Sequence, residues 1–188
     1  AAGLKPGAKT AIYAHNSNAY LEAQYASFKA RTVPINVNYR YVEHELTYLF
    51  DNGDVEAVFF DAKFAPRLAA IRDQLPKLKL FVQIYDGSSE TLSGAQDFEA
   101  LIAANAPLPR LDYSEGDIYM IYTGGTTGMP KGVMYRHGDL SAGIASALLG
   151  PEVVEPSPEM LVAVVQALKA AGAAPISLPA CPLMHGTG

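Results

Sequence analysis

Apolar residues recur along this chain in two different rhythms. Short, nearly continuous apolar runs, the pattern of strands buried on both faces, fall at 10–14, 33–37, 56–60, 78–85 and 117–122. Between them lie stretches with apolar residues at helical spacing: 19–30, which carries Tyr20, Leu21, Tyr25 and Phe28, then 42–50, 64–74 and 97–105. Asn16, Ser17 and Asn18 offer turn and N-cap chemistry ahead of the first helix. Asp51, Asn52 and Gly53 end the second, and Pro76 closes the third. Pro34 predicts that its strand lies at a sheet edge or that the proline lies at the strand's end. Farther along, 132–136 reads as a strand able to pair with 117–122 as a hairpin. Residues 139–149 read as a helix capped by Asp139, 150–158 as a surface loop, 159–171 as a helix rich in alanine and valine, 176–178 as a strand and 179–188 as loop.

Strands alternating with helices predict the α/β class: largely parallel sheet layers flanked by helices. Pro107 and Pro109 make 106–110 the best linker candidate. The expected organisation is a first α/β layer at 1–105, a linker at 106–116, and at 117–188 a strand pair that opens an incomplete second layer. No internal repeat is visible.

Composition removes several function classes. At 188 residues and 49% hydrophobic, the chain can bury a sizeable core and is not a disordered segment. A net charge of −5 gives no general attraction to nucleic acid. No apolar run is long enough to span a membrane, and no signal peptide opens the chain. The single Cys181 excludes an internal disulfide framework and fits a reducing, cytoplasmic setting; flanked by Ala180 and Pro182, it is expected to be a buried inert thiol. The histidines and Cys181 are not spaced as a zinc site, and His44, between Glu43 and Glu45, reads as a solvated helix face. The chain begins with Ala1 rather than Met and stops at Gly188 within a glycine-rich turn, so it is expected to be a piece of a longer protein.

The chemistry concentrates at 122–132, which reads Tyr-Thr-Gly-Gly-Thr-Thr-Gly-Met-Pro-Lys-Gly. Gly124, Gly125 and Gly128 allow a loop to fold so that backbone N–H groups converge into an anion nest. Thr123, Thr126 and Thr127 add hydroxyl donors, and Lys131 adds a full positive charge. Such a loop suits nucleotide phosphates. It is not a Walker loop, because Lys131 lies between Pro130 and Gly132, and adjacent Gly124 and Gly125 break the dinucleotide fingerprint. A glycine-rich hairpin turn that binds nothing is the bland alternative, but turns rarely need hydroxyls and a lysine at fixed offsets.

Every position from Tyr122 to Gly132 resembles the signature loop of the adenylate-forming ligases: acyl-CoA synthetases, aryl-acid ligases, luciferases and peptide-synthetase adenylation domains. Pro182-Leu183-Met184-His185 resembles a second turn of that family, beside its acyl and nucleotide pockets. Leu4-Lys5-Pro6-Gly7 is similar to its opening, with Ala8 and His15 where the family has Asp and Pro; Asn36-Val37-Asn38-Tyr39-Arg40 is similar to a stretch read as structural. The two functional motifs together look most like bacterial fatty-acyl-CoA synthetases.

The resemblance implies part of the large N-terminal domain of an enzyme of fatty-acid metabolism. A carboxylate, here a fatty acid, attacks the α-phosphate of ATP, pyrophosphate leaves, and the thiol of coenzyme A then displaces AMP. Thr123, Gly124, Gly125, Thr126, Thr127 and Gly128 would hold the phosphates, Lys131 would neutralise the departing pyrophosphate, Mg2+ would bridge phosphate oxygens near Thr126, and His185 would line the site by the reacting carboxylate. The family also uses a Tyr-Gly-x-Thr-Glu stretch, a ribose-binding Asp, a hinge and a lysine on a mobile C-terminal domain, and none has a match here. The missing C-terminal part of the same enzyme is therefore an expected partner, and the isolated segment is expected to be inactive and to bind ATP weakly or not at all. A homodimer, an aryl-acid or other acyl-adenylating ligase, and a non-catalytic nucleotide-binding module remain open.

Overall fold

The computed structural model describes residues 3–109, 111–123, 129–150, 157–174, 176 and 181–185. Its strands are β1 (Lys9–Tyr13), β2 (Val33–Asn36), β3 (Val55–Asp61), β4 (Leu80–Ile84), β5 (Gln96–Asp97), β6 (Ile118–Thr123) and β7 (Lys131–Arg136). Its helices are α1 (Asn18–Lys29), α2 (Glu43–Asn52), α3 (Ala65–Ile71), α4 (Phe98–Ala104), α5 (His137–Leu149) and α6 (Pro158–Ala170). All seven strands join one sheet in the order β5-β4-β3-β1-β2-β6-β7. Every pairing is parallel except that of β6 with β7.

Helices cover both faces of the parallel part, which is why its strands read as apolar runs rather than as alternating ones. On one face Ala11, Tyr13, Ile35, Val58, Phe60, Met120 and Tyr122 meet Leu46, Leu49 and Phe50 of α2 and Leu68 and Ile71 of α3. On the other, Ile12, Val82 and Ile84 meet Tyr20 and Ala23 of α1 and Phe98 of α4. Burying each large apolar side chain contributes about 1.5–3 kcal/mol. The helix starts follow local chemistry: Ser17 Oγ accepts the Tyr20 N–H at 3.1 Å, and Asp97 Oδ1 accepts the Ala100 N–H at 2.7 Å.

Several expectations change in the folded chain. Pro34 does not mark an edge strand, because β2 runs between β1 and β6. It lies near the start of β2, and the ladder to β6 begins only at Ile35, so no bond to β6 is missed. Gly53 follows α2 with φ −84°, and the left-handed residue is Asp54 at φ 51°. Glycine is required at 53 for space: a Cβ there would lie 2.9 Å from the Leu49 carbonyl oxygen. The predicted helix at 64–74 is α3 flanked by 3-10 turns at Ala62–Phe64 and Arg72–Gln74. Helix α5 begins directly after β7, which puts Asp139 inside its first turn instead of at the cap. Ile176 is not in a strand, and 177–178 lie outside the described residues. Strand β6 adds to β2, so the strand pair that begins at 118 extends the same sheet.

A fork of charge fixes β6 at its start. Arg31 Nε donates to Asp117 Oδ2 at 2.9 Å and its Nη2 to Oδ1 at 3.0 Å. Arg31 adopts φ 57°, a left-handed conformation that favours glycine. An arginine there makes sense through this bidentate grip across the sheet. The guanidinium, aided by the Ser114 N–H and opposed by partial burial, holds the Asp117 carboxyl below the usual carboxylate range. At the other end of β6, Tyr122 lies across Gly132, its pairing partner. A Cβ at Gly132 would approach Met120 Sδ and Tyr122 Cε2 to 3.0 Å. The Tyr122 ring cannot swing aside freely, because its hydroxyl donates to Asn52 Oδ1 at 2.8 Å.

Two outcomes are expected. Gly132→Val should lower stability by about 1–3 kcal/mol through overpacking, although strand propensity favours valine by up to about 1 kcal/mol; a raised melting temperature would show that Tyr122 yields. Asp117→Asn should lower the melting temperature at pH 7. Because the folded carboxyl titrates below its ordinary value of about 3.9, the stabilisation is fully present above that value and is lost as pH falls through the folded one. The gap between wild type and Asp117→Asn, followed by calorimetry, should therefore narrow below about pH 4; a constant gap would exclude the carboxylate charge as its source.

Candidate functional site

Parallel strands end along one rim of the sheet, and ligands in open α/β sheets bind in crevices at that rim. Here the rim carries His15 and Asn16 beyond β1, Asn36 at the end of β2, Asp61 at the end of β3 and Thr123 at the end of β6. A cleft of about 270 Å³ opens there, lined by Asn36, Asn38, Tyr41, Thr123, Met184 and His185, with Ile121 and Tyr122 behind. Among the described residues, its lining holds amides, hydroxyls and an imidazole but no carboxylate. A more open groove of about 540 Å³ runs between α1 and α4, walled by Phe59, Phe98, Leu101 and Ile102, with the exposed Glu22 and Glu99 as its polar members. Its described lining, apolar apart from two carboxylates, offers nothing to an anion.

Each wall of the rim cleft is held by identifiable bonds. Beyond β2, the chain at 37–41 is fastened from below. Tyr13 Oη donates to the Tyr41 carbonyl at 2.7 Å, and Arg67 Nη1 donates to Tyr13 Oη at 2.7 Å and to the Tyr41 carbonyl at 2.8 Å. Asn38 Oδ1 accepts the Arg40 N–H at 2.9 Å, which shapes the turn that brings Tyr41 to the cleft. Tyr39 stacks on His15 with ring centroids 4.3 Å apart, and His15 is fixed to buried Asp61 through its main-chain N–H at 2.9 Å and its Nδ1 at 2.8 Å. Burial pushes the Tyr41 hydroxyl above its ordinary pKa, with Glu45 adding to the shift, so it stays a neutral donor near pH 7.

The hairpin supplies the opposite wall. Thr123 is the last residue of β6 and Lys131 the first of β7, and the two are directly paired. Side chains of directly paired antiparallel residues project to one face, so the threonine and the lysine share a side of the sheet. Both are exposed. Tyr48 of α2 donates its hydroxyl to the Pro130 carbonyl at 3.2 Å, which anchors the returning strand. Gly124, Gly125, Thr126, Thr127 and Gly128 lie outside the described residues. Of the remaining candidates, Thr123 and His185 line the cleft together across 62 residues of sequence (185 − 123), while Lys131 stands opposite Thr123 and does not line the cleft itself.

His185 is exposed, and its main-chain N–H closes a turn onto the Pro182 carbonyl at 3.0 Å. Cys181 corrects an expectation: it is exposed rather than buried, because the turn puts Met184, at 5% exposure, inward in its place. His44 is exposed as expected. Among the described residues, no group of three or more His, Cys, Asp or Glu side chains could hold a metal ion. Among them too, no helix is long and apolar enough to cross a membrane.

Asn38 and Tyr41 were not singled out by sequence as cleft residues, nor were Tyr48 and Asn52 as supports of the hairpin. The only signal was proximity to the end of an apolar run, which in a parallel sheet marks the functional rim. A volume of 270 Å³ falls just below the range of about 300–1,000 Å³ usual for small-molecule sites.

Comparison with known proteins gives the family and the fold. The AMP-binding enzyme family matches residues 1–187. The chain is 42% identical over 180 residues to the medium-chain acyl-CoA ligase Mig of Mycobacterium avium, covering 93% of this chain and 32% of that protein. It is 44% identical over 141 residues to the 3-oxocholest-4-en-26-oate–CoA ligase of Rhodococcus rhodochrous, covering 73% of this chain and 25% of that protein. The chain therefore spans about a third or less of the length of these curated relatives. Among solved structures, the anthranilate CoA ligase AuaEII in complex with anthranoyl-AMP superposes with a TM-score of 0.69 at 24% identity, covering 80% of this chain and 29% of that one. The acetoacetyl-CoA synthetase of Streptomyces lividans gives a TM-score of 0.69 at 21% identity, covering 78% of this chain and 24% of that one. At these identities the structures speak for the fold, a mostly parallel sheet between helices.

Proposed function

The chain belongs to the AMP-binding enzyme family, and from that premise we propose that it is the phosphate-binding segment of an ATP-dependent carboxylic acid–CoA ligase acting on an apolar acid of the fatty-acid type. One observation carries the reading: Thr123 and His185, from motifs far apart in sequence, share a cleft with no carboxylate among its described lining residues, and Lys131 is paired with Thr123 beside it. A polyphosphate is repelled by carboxylates and held by hydroxyls, amides and a lysine, so the donor set fits. The acyl-CoA ligase relatives, at 42% and 44% identity, support the reaction class. The medium-chain ligase supports a fatty acid, and the 3-oxocholest-4-en-26-oate ligase supports a second reading in which the acid carries a sterol skeleton.

In this reaction a carboxylate oxygen bonds to the α-phosphorus as the bond to the bridging oxygen breaks, and pyrophosphate leaves with that electron pair. The thiolate of coenzyme A then attacks the acyl carbon, and AMP departs. Mg2+ would supply further charge neutralisation across the phosphate oxygens, with Thr126 beside it. Thr123 and the Gly124, Gly125, Thr126, Thr127 and Gly128 run would orient the phosphates. Lys131 would balance the charge that grows on the leaving pyrophosphate, a contribution larger in the transition state than in the bound substrate. His185 would border the place where the carboxylate meets the α-phosphate.

Lys131→Ala in the full-length protein should lower acid-dependent pyrophosphate release by about 10²–10³-fold, with the melting temperature retained because Lys131 is exposed. Unchanged release would remove Lys131 from the reaction. The 188-residue chain alone should bind ATP weakly or not at all in a calorimetric titration; a tight, Mg2+-dependent complex would contradict the view that it holds only one wall of the site.

A further inference from the structure

The turn that carries His185 is held in an unusual way. Leu183, two residues before it, has both main-chain polar groups satisfied by side chains and none by a strand ladder. Its N–H donates to Asn16 Oδ1 at 2.7 Å. Its carbonyl accepts Asn36 Nδ2 at 2.7 Å and Tyr20 Oη at 3.1 Å. Asn16 Nδ2 also donates to the Cys181 carbonyl at 3.3 Å. The three side chains come from just beyond β1, from the first turn of α1 and from the last position of β2. They therefore stand on adjacent central strands and the helix between them. Tyr20 is fully buried and Asn36 is 2% exposed, so neither can follow the turn if it moves. Burial holds the Tyr20 hydroxyl protonated, with nearby Tyr119 adding to the effect, so it remains a donor at any ordinary pH. The imidazole of His185, by contrast, has no hydrogen bond among the described residues, and its place over the cleft is set by the main chain alone.

We propose that Asn16, Tyr20 and Asn36 are positioning residues for the adenylation step: a polar latch on the main chain at 181–183 that fixes where His185 stands at the cleft. The proposal rests on the ligase reading and on His185 bordering the reacting carboxylate. Leu183 and Met184 also pack inward, so burial favours the turn's closeness to the sheet. Apolar packing is tolerant of small shifts, whereas the latch bonds set register and angle. That distinction matters because a displacement of about 1 Å in a reacting site can cost about 100-fold in rate.

The test uses the full-length enzyme, acid-dependent pyrophosphate release and thermal unfolding. Tyr20→Phe removes one latch donor and keeps the buried ring. Asn16→Ala removes both bonds of that side chain, and Asn16→Asp keeps the acceptor for the Leu183 N–H. Tyr20→Phe and Asn16→Ala should each lower kcat about tenfold with KM for ATP unchanged, and Asn16→Asp should recover most of the loss. In a His185→Ala background, Tyr20→Phe should cause little further loss, since residues acting through one group are not additive. Equal losses in both backgrounds would overturn the latch, as would a loss that merely tracks the melting temperature. If His185→Ala is costly and the latch variants are silent, the latch alone fails. If His185→Ala is itself silent, the role assigned to His185 fails and the latch proposal fails with it.

Discussion

Parallel pairing is the constraint on which the rest of this structure depends. It buries strands on both faces, so β1 and β2 are buried almost without interruption and helices must cover each side. It also delivers every strand's last residue to the same rim. Asn36, Asp61 and Thr123 are the polar last residues of β2, β3 and β6, the first two buried and the third exposed. The polar groups at the rim then serve two ends. Some, such as Asp61 and Asn16, hold main chain in place, and others, such as Thr123 and His185, face open space.

The one antiparallel pair departs from the rule, and its departure has consequences. Because β7 returns beside β6, Lys131 comes to the rim from the opposite direction and stands against Thr123. A crossover connection would have sent the next strand's beginning to the far side of the sheet. The hairpin also leaves β7 at the sheet's end with Val133, Met134 and Tyr135 exposed. The region is therefore tied down by polar contacts and one close fit more than by burial: Tyr48 on Pro130, Tyr122 on Asn52 and the absent side chain of Gly132.

What the sequence made legible follows from these same forces. Strands buried on both faces announce themselves by apolar runs, so β1, β3, β4 and β6 lie within a few residues of their predicted places, as do the helices at their caps. The threonine, glycine and lysine pattern could be read because its chemistry is local to one loop. Strand β5 could not, since Gln96 and Asp97 are exposed and their pairing with Val82 and Gln83 leaves no period. Pro34 was open to two readings because a local rule about missing donors cannot know where the neighbouring ladder begins. Cys181 misled because burial in a short turn depends on which residue points inward, and that is decided by Asn16 from 165 residues away. Asn38 and Tyr41 were invisible as cleft residues because a wall is defined by what stands opposite it.

The electrostatics of the cleft extend this contrast between local and distant causes. The chain as a whole carries −5, a sign that repels a polyphosphate. Screening acts over about 8–10 Å at physiological ionic strength, so the charges that matter are those at the rim. There Asp61 is committed to His15, while Asp117 is held by Arg31 at the far end of β6, away from the rim. Asn36 and Asn38 bring amides rather than acids to the cleft, the Asn36 amide donating to the Leu183 carbonyl. On the proposed reading, an acidic protein accommodates an anion in such a cleft without a basic surface. It needs only to exclude carboxylates from one small volume and to bring a single lysine beside it.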